Sequence, residues 1–169
     1  MLASKFILSI MAFYTFLWLI ISNINLYFLK AETAKTANML LNLFGVPSTL
    51  SFGAEPLIII GNITAQITNL CAGDLEIILL TAIIISTFDR TIRQRIIGIL
   101  IGLFLILILN PIRIFIVLAV GYYSSWQWAD FTHDVLFRLT LLITIVLYYY
   151  IWYVKYDKIA KFIRKERVV

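Results

Sequence analysis

Three side chains in this sequence could together carry out acyl transfer: Cys71, Arg113 and His133. A thiolate attacks a carbonyl carbon and forms a thioester, which a second nucleophile then resolves. A histidine can activate the thiol or protonate the leaving amine. An arginine keeps its charge, so its natural role is to stabilise a thiolate or an oxyanion. This chemistry requires a fold that brings together three residues far apart in the sequence.

Each of the three residues also has a purely structural interpretation. A single cysteine is most often buried as a small hydrophobic residue, and an arginine near the end of a membrane span usually extends to the lipid headgroups. His133 could equally be an interfacial residue beside Asp134. Three further side chains could support the chemistry: Asn110 as a second oxyanion donor, Arg138 as another source of positive charge, and Asp134 as the group that orients His133.

The composition indicates a membrane protein. The 169 residues are 62% hydrophobic and 14% charged, whereas soluble domains carry about 25% charged residues. The net charge of +5 does not indicate a nucleic-acid partner, because the basic residues flank apolar runs, where membrane topology explains them. One cysteine excludes an internal disulfide or a CxxC pair, and one histidine leaves no zinc cluster. We expect no cofactor and no metal.

Four apolar segments predict an all-α polytopic membrane protein with about four transmembrane helices. They cover residues of about 6–29, 73–89, 96–121 and 133–154. The second segment is short, because a crossing needs roughly 20 residues, but it suffices if Asp74, Glu76 and Asp89 lie in the headgroup zones. Asn110-Pro111 predicts a kink in the third segment, since proline removes a backbone hydrogen bond. Residues 122–132 predict a short loop rich in aromatic residues.

Residues 31–70 predict an outer subdomain, made of an amphipathic helix and a small β-hairpin or meander. Gly45 and Pro47 end the helical pattern. Gly61-Asn62 is a two-residue hairpin signal between β-branched stretches, and the last strand leads to Cys71 at the head of the next helix. The apolar positions that recur at helical spacing are Ala34, Ala37, Leu41 and Phe44.

The distribution of basic residues predicts the topology. Lys5, the arginine-rich loop 89–95 and the basic tail 155–169 are typical of the cytoplasmic side. Residues 31–70 and 122–132 then lie outside, and both termini are cytoplasmic. We treat the whole chain as one domain, with an oligomeric state that the sequence leaves open.

This topology places the three reactive residues at one depth. Arg113 lies about 27 Å along a helix that begins after Arg95, near the outer boundary of the membrane. Cys71 precedes the second span and His133 begins the fourth, both on the outer side. A helix N-terminus and a neighbouring cation would both favour the thiolate of Cys71. Intramembrane ionisable residues are functional candidates by default, and their shared depth strengthens that interpretation.

At these residues the sequence resembles the exosortase/archaeosortase family of membrane transpeptidases. The matching features are Cys71-Ala72-Gly73 opening a span, Asn110-Pro111-Ile112-Arg113-Ile114 in the next, and His133 at the start of the one after. The approach segment Leu43-Phe44-Gly45-Val46-Pro47 is also similar. The resemblance covers roughly residues 40–150, and the order, spacing and membrane placement of the motifs together are specific.

The resemblance implies an enzyme that cleaves C-terminal sorting signals on the outer face of the cell membrane. Such a signal consists of a short motif, one transmembrane helix and a basic cluster, and the new C-terminus is transferred to a membrane lipid. Cys71 would be the thioester nucleophile, Arg113 a proton donor or charge stabiliser, and His133 the third catalytic residue.

Several alternatives stay open. Many relatives have more spans, and many carry serine where Ala72 stands. Asp74 and Glu76 are not expected after Gly73, so the recognised motif and the roles of both carboxylates are undecided. Water could replace the lipid acceptor, and either His133 or Arg113 could move the proton. A different class of function, a transporter subunit or assembly factor without enzymatic activity, would make the three residues packing or interfacial groups.

Overall fold

The computed structural model describes residues 3–24 and 26–155 of the chain. Its helices are α1 (Ala3–Ile21), α2 (Tyr27–Leu43), α3 (Asn69–Ala72), α4 (Asp74–Ile85), α5 (Ile92–Tyr123) and α6 (Trp126–Leu142). A π-helical turn (Ile143–Leu147) follows α6, and the last helix continues to Lys155. The strands are β1 (Thr49–Phe52), β2 (Pro56–Ile60) and β3 (Ile63–Gln66). The predicted class, a helical polytopic membrane protein with a small β segment, is confirmed.

Three helices in the described part of the chain are long and apolar enough to cross a membrane: Ala3–Ile21, Ile92–Tyr123 and Trp126–Lys155. The second predicted span forms α4, whose 12 residues extend roughly 18 Å against about 30 Å for a hydrocarbon core. Helix α4 packs against α1, α5 and the π-helical turn. Its side chains alternate between buried and partly buried, so α4 is enclosed by the longer helices. Helix α5 continues through Pro111.

The first predicted span ends earlier than expected, at Ile21 rather than near Leu29. The side chains of Ser22 and Asn23 both donate hydrogen bonds to the carbonyl oxygen of Leu19, at 3.2 and 2.6 Å. Such bonds satisfy the carbonyls of the last turn and compete with continuation of the helix. Helix α2 therefore begins at Tyr27, before the predicted outer subdomain.

The loop predicted at residues 122–132 is wrong, and the helix that contains the predicted fourth span begins at Trp126, before His133. The chain turns at Ser124 and Ser125, and α6 begins at Trp126. The hydroxyl of Ser125 caps the helix by accepting a hydrogen bond from the backbone N–H of Trp128. The aromatic residues that suggested an interfacial loop form the first turns of α6.

The sheet agrees with the pattern that predicted a small β segment in residues 31–70. The strands form an antiparallel sheet in the order β1-β2-β3, and Ile60 pairs with Ile63 across the predicted Gly61-Asn62 turn. Helix α2 packs against this sheet and against α5, with Ala34 fully buried in the resulting core. Of the four apolar positions predicted on its face, Phe44 differs, because it caps the end of α2 and is 60% exposed.

Helix α5 runs antiparallel to α4, since Gly73 meets Asn110 and Leu80 meets Gly102. The last helix is also antiparallel to α5, and these helices give the molecule two distinct ends. The arginine-rich turn lies beside the end of the last helix: Arg90 donates a hydrogen bond to the carbonyl oxygen of Tyr153 at 2.6 Å, and the Tyr153 hydroxyl donates to Asp89 at 2.7 Å. The sheet, α3 and the turn between α5 and α6 lie at the opposite end. Of the predicted basic tail, residues 156–169 lie outside the described residues.

Candidate active site at the Cys71 cavity

One cavity of about 170 Å³ is lined by all three predicted catalytic residues, Cys71, Arg113 and His133. Cys71 comes from α3, Arg113 from the middle of α5, and His133 from the second turn of α6. The remaining lining is largely apolar and comes from the end of the sheet and from α5: Ala65, Gln66, Ile67, Ile114, Val117 and Leu118. A thiol, a guanidinium and an imidazole therefore face one mostly apolar space.

Cys71 lies in a one-turn helix that follows directly after the sheet. Strand β3 ends at Gln66, and Thr68 begins the turn in an extended conformation. The Thr68 hydroxyl donates a weak hydrogen bond to the Cys71 sulfur, with an Oγ1–Sγ distance of 3.5 Å. Cys71 itself is half-buried. Cys71 thus lies in the short helix before α4 and not in the first turn of α4. The Thr68 hydroxyl is a further hydrogen-bond donor that could stabilise a thiolate at Cys71.

Gly73 joins α3 to α4 and brings the cysteine motif against the Asn-Pro motif of α5. Its φ of +90° is a left-handed conformation that favours glycine. A Cβ at this position would lie 1.8 Å from Nδ2 of Asn110 and 2.9 Å from Cγ2 of Ile106. Only a residue without a side chain fits this close approach, so Gly73 fixes α3 against α5.

Asn110 packs against Gly73 and is almost fully buried. Its amide oxygen and nitrogen have no hydrogen-bond partner among the described residues. Within the described structure, Asn110 does not line the cavity. The expected oxyanion donor therefore lies beside the backbone that carries Cys71.

Arg113 is buried and paired. Its Nη1 lies 3.2 Å from Oε1 of Glu76, with 3% of the arginine side chain and none of the glutamate side chain exposed. The Arg113 guanidinium also lies 5.1 Å from the ring centroid of Phe137, a cation–π arrangement. Such contacts fix the planar guanidinium in one orientation at the cavity wall. The expected cation beside Cys71 is thus one half of a buried ion pair.

His133 lies at the open side of the cavity. Half of its side chain is exposed, and Nδ1 lies 3.6 Å from Oδ1 of the still more exposed Asp134. The imidazole stacks on Phe137, with ring centroids 6.5 Å apart and planes inclined by 17°. Phe137 therefore contacts both the imidazole and the guanidinium. Arg138 is exposed, and the described lining of the cavity does not include it.

Sequence reasoning gave no role at this site to Thr68 or Phe137, and it expected Glu76 in the headgroup zone, whereas Glu76 is buried against Arg113. Thr68 stands just before the first turn of α3, where threonine is common, but its hydroxyl bonds the Cys71 sulfur and makes no backbone cap. Glu76 could have been found from charge balance, because an intramembrane arginine needs a nearby carboxylate. Phe137 gives no local signal, since an aromatic residue in an apolar helix is ordinary.

A family model described as transmembrane exosortase matches residues 1–150 of this chain. The matched region contains the sheet, all the long helices up to the end of α6, and the three cavity residues. Comparisons with curated proteins and with solved structures give no match.

Proposed function

The chain belongs to the transmembrane exosortase family, and from that premise we propose that it is a cysteine transpeptidase or protease that cleaves C-terminal sorting signals. Membership confirms the resemblance that the motifs indicated and supports a membrane transpeptidase or protease in general. The observation that carries the finer proposal is the shared cavity of Cys71, Arg113 and His133. Its substrates are membrane proteins that end in a short motif, one transmembrane helix and a basic cluster.

In the first half of the reaction, His133 accepts the thiol proton and the Cys71 sulfur attacks the carbonyl carbon of the scissile peptide. Arg113 stabilises the negative charge that develops on the carbonyl oxygen. The tetrahedral intermediate collapses and the C–N bond breaks. His133 returns the proton to the departing amine, and a thioester to Cys71 remains.

In the second half, a membrane lipid or water attacks the thioester carbon. His133 removes the proton of the attacking group, the C–S bond breaks to release the Cys71 thiolate, and the proton passes from His133 to the sulfur. The proposal has the cavity on the extracytoplasmic face and both termini in the cytoplasm, and the position of the arginine-rich turn at the opposite end of the molecule supports it. The half-exposed imidazole suits this step, since it can reach an acceptor that enters from the membrane surface.

The test is co-expression of this chain with proteins from the same genome that end in such a signal. We expect the wild-type chain to remove the C-terminal segment, detected as a mass decrease by electrophoresis and mass spectrometry. Cys71→Ala should abolish removal, because no other cysteine is present in the sequence. Ser51→Ala, an equally small change at an exposed position of β1, is the matched control and should process normally.

The alternative, a transporter subunit or assembly factor, predicts a different pattern. Cys71→Ala would then weaken stability or partner binding, and the wild-type chain would remove no segment. Undiminished processing by Cys71→Ala would show that the nucleophile assignment is wrong. A substrate fragment covalently attached to Cys71, identified by mass spectrometry after rapid acid quenching, would support the thioester directly.

A further inference from the structure

We infer that Glu76 is a positioning residue, which holds the Arg113 guanidinium at the cavity wall and offsets its charge, so that the cavity accepts a neutral peptide carbonyl in preference to an anion. This inference rests on the proposed function and deepens it by stating which chemical group occupies the space beside Arg113. The family motifs do not explain Asp74 or Glu76, the two carboxylates that follow Gly73. The inference assigns a role to Glu76.

The Glu76 carboxylate forms a buried ion pair with the Arg113 guanidinium. Glu76 lies on α4 and Arg113 on α5, and their side chains meet across the helix interface at 3.2 Å. The Glu76 side chain is completely buried, and its second oxygen, Oε2, has no hydrogen-bond partner within the described residues. Arg113 lines the cavity and Glu76 does not. The ion pair therefore points its positive end into the cavity, with the negative end behind it.

Burial explains why the pair exists. A lone guanidinium in a membrane protein interior would carry a large desolvation penalty, and a paired carboxylate offsets it. The pairing also restricts the rotation of a long side chain and leaves the guanidinium in a fixed direction. Phe137 covers another part of the guanidinium. Arg113 is thus held from α4 and from α6, which is the arrangement expected of a preorganised hydrogen-bond donor.

The charge of Glu76 also affects whether the cavity binds neutral or negatively charged groups. An unpaired arginine binds carboxylate or phosphate groups strongly, so lipid phosphates or released carboxylate products would compete for the cavity. A carboxylate directly behind the guanidinium repels a full negative charge and weakens that attraction. A neutral carbonyl oxygen is repelled far less and still accepts a hydrogen bond. Stabilisation is then concentrated in the transition state, where charge develops on this oxygen.

The test uses two alkylating reagents of the same leaving group and different charge, iodoacetate and iodoacetamide. Cys71 is the sole cysteine in the sequence, so the rate of alkylation of the full chain in detergent reports this cavity alone. The measured quantity is the ratio of the iodoacetate rate to the iodoacetamide rate, relative to wild type. Glu76→Gln keeps the shape and an acceptor oxygen but removes the charge. We expect it to raise the ratio on the order of three- to ten-fold.

Glu55→Gln is the matched control. Glu55 also forms an ion pair with a buried cation, Lys30, at 2.6 Å, but it does not line the cavity in the described structure. We expect an unchanged ratio. The double variant Glu76→Gln/Arg113→Met should show a lower ratio than Glu76→Gln alone, because the cation that attracts the reagent is gone.

An unchanged ratio in Glu76→Gln, an equal rise in Glu55→Gln, or a double variant that matches Glu76→Gln would each overturn the inference. If Glu76→Gln does not fold, as judged by thermal unfolding in detergent, Glu76→Asp replaces it. That variant keeps the charge and should keep a ratio near that of wild type, whereas a three-fold or larger rise on the order expected for charge removal would contradict the proposal. The alkylation ratio requires no sorting substrate, so it is independent of whether Cys71→Ala abolishes processing.

Discussion

At the scale of single residues, Gly73 determines how closely α3, which carries Cys71, approaches α5. Gly73→Ala would impose a left-handed φ on a residue with a Cβ, and it would drive that Cβ into Asn110. The first effect costs about 1–2 kcal/mol and the overpacking about 1–3 kcal/mol more. We expect a lower free energy of unfolding in detergent and a changed alkylation rate of Cys71 in the molecules that remain folded.

Two other glycines separate these causes. Gly61 has a φ of +57° but open space around it, and Gly53 has neither a positive φ nor a neighbour within 4 Å. Gly61→Ala should therefore show the backbone cost alone, and Gly53→Ala should leave stability nearly unchanged. Neither should change alkylation of Cys71. If Gly73→Ala lost no more stability than Gly61→Ala, the close approach of Asn110 would be unimportant.

The meeting of Cys71, Arg113 and His133 could be predicted from the sequence, because depth in a membrane follows from helix length and the positions of basic loops. The salt bridge of Arg113 to Glu76 could not be predicted in the same way. Depth does not tell which side of a helix faces which neighbour, so Glu76 had the same sequence signature as a headgroup-zone carboxylate. For Asn110, a helical position one turn from Arg113 did not reveal that it packs on Gly73.

At the scale of elements, small residues on α5 allow the helices to approach closely. A Cβ at Gly98 would lie 2.4 Å from Nε1 of Trp152, and one at Gly102 would lie 2.5 Å from Cδ2 of Leu80. The two glycines are four residues apart, a spacing that places them on one helix face and is common at membrane helix interfaces. Through them, α5 contacts both α4 and the last helix.

Gly102→Ala should destabilise the helix packing without altering the chemistry of the cavity. Filling the contact with Leu80 is expected to cost about 1–3 kcal/mol, measured as a lower free energy of unfolding in detergent. The Cys71 alkylation ratio of the folded protein should match wild type, because Gly102 lies about three turns from Arg113 toward the arginine-rich turn. Leu100→Ala, at a position of α5 that is 60% exposed, is the control, and equal destabilisation by both variants would contradict the packing argument.

The elements themselves were predictable where a strong local pattern exists. The Gly61-Asn62 turn fixed the register of β2 and β3, and the spacing of Ala34, Ala37 and Leu41 identified the buried face of α2. The boundaries at Ile21 and Trp126 were missed, because both depend on serine or asparagine side chains that satisfy backbone groups. Hydropathy alone does not register such bonds.

At the scale of the whole molecule, the arginine-rich turn and the Cys71 cavity lie at opposite ends. The arginine-rich turn, with Arg90 bound to the end of the last helix, marks one end. The sheet and the Cys71 cavity mark the other. Helix α4 is too short to span the hydrocarbon core alone, yet it carries Glu76, which pairs with the cavity residue Arg113, and it leads to the arginine-rich turn. Its enclosure by longer helices allows buried carboxylates to lie at a depth where lipid contact would exclude them.

This arrangement predicts that the hairpin and the arginine-rich turn are exposed on opposite sides of the membrane. Since the sequence has one cysteine, Cys71→Ser provides a background for single reporters: Asn62→Cys at the exposed hairpin turn and Ile92→Cys at the start of α5, where Ile92 is 75% exposed. A membrane-impermeant maleimide should label Asn62→Cys in intact cells and Ile92→Cys only after permeabilisation, because basic residues are retained in the cytoplasm. Cys71→Ser alone gives the background signal. Labelling of Ile92→Cys in intact cells would show that the topology is the reverse of the one predicted. The cavity would then face the cytoplasm, where an extracytoplasmic sorting signal could not reach Cys71.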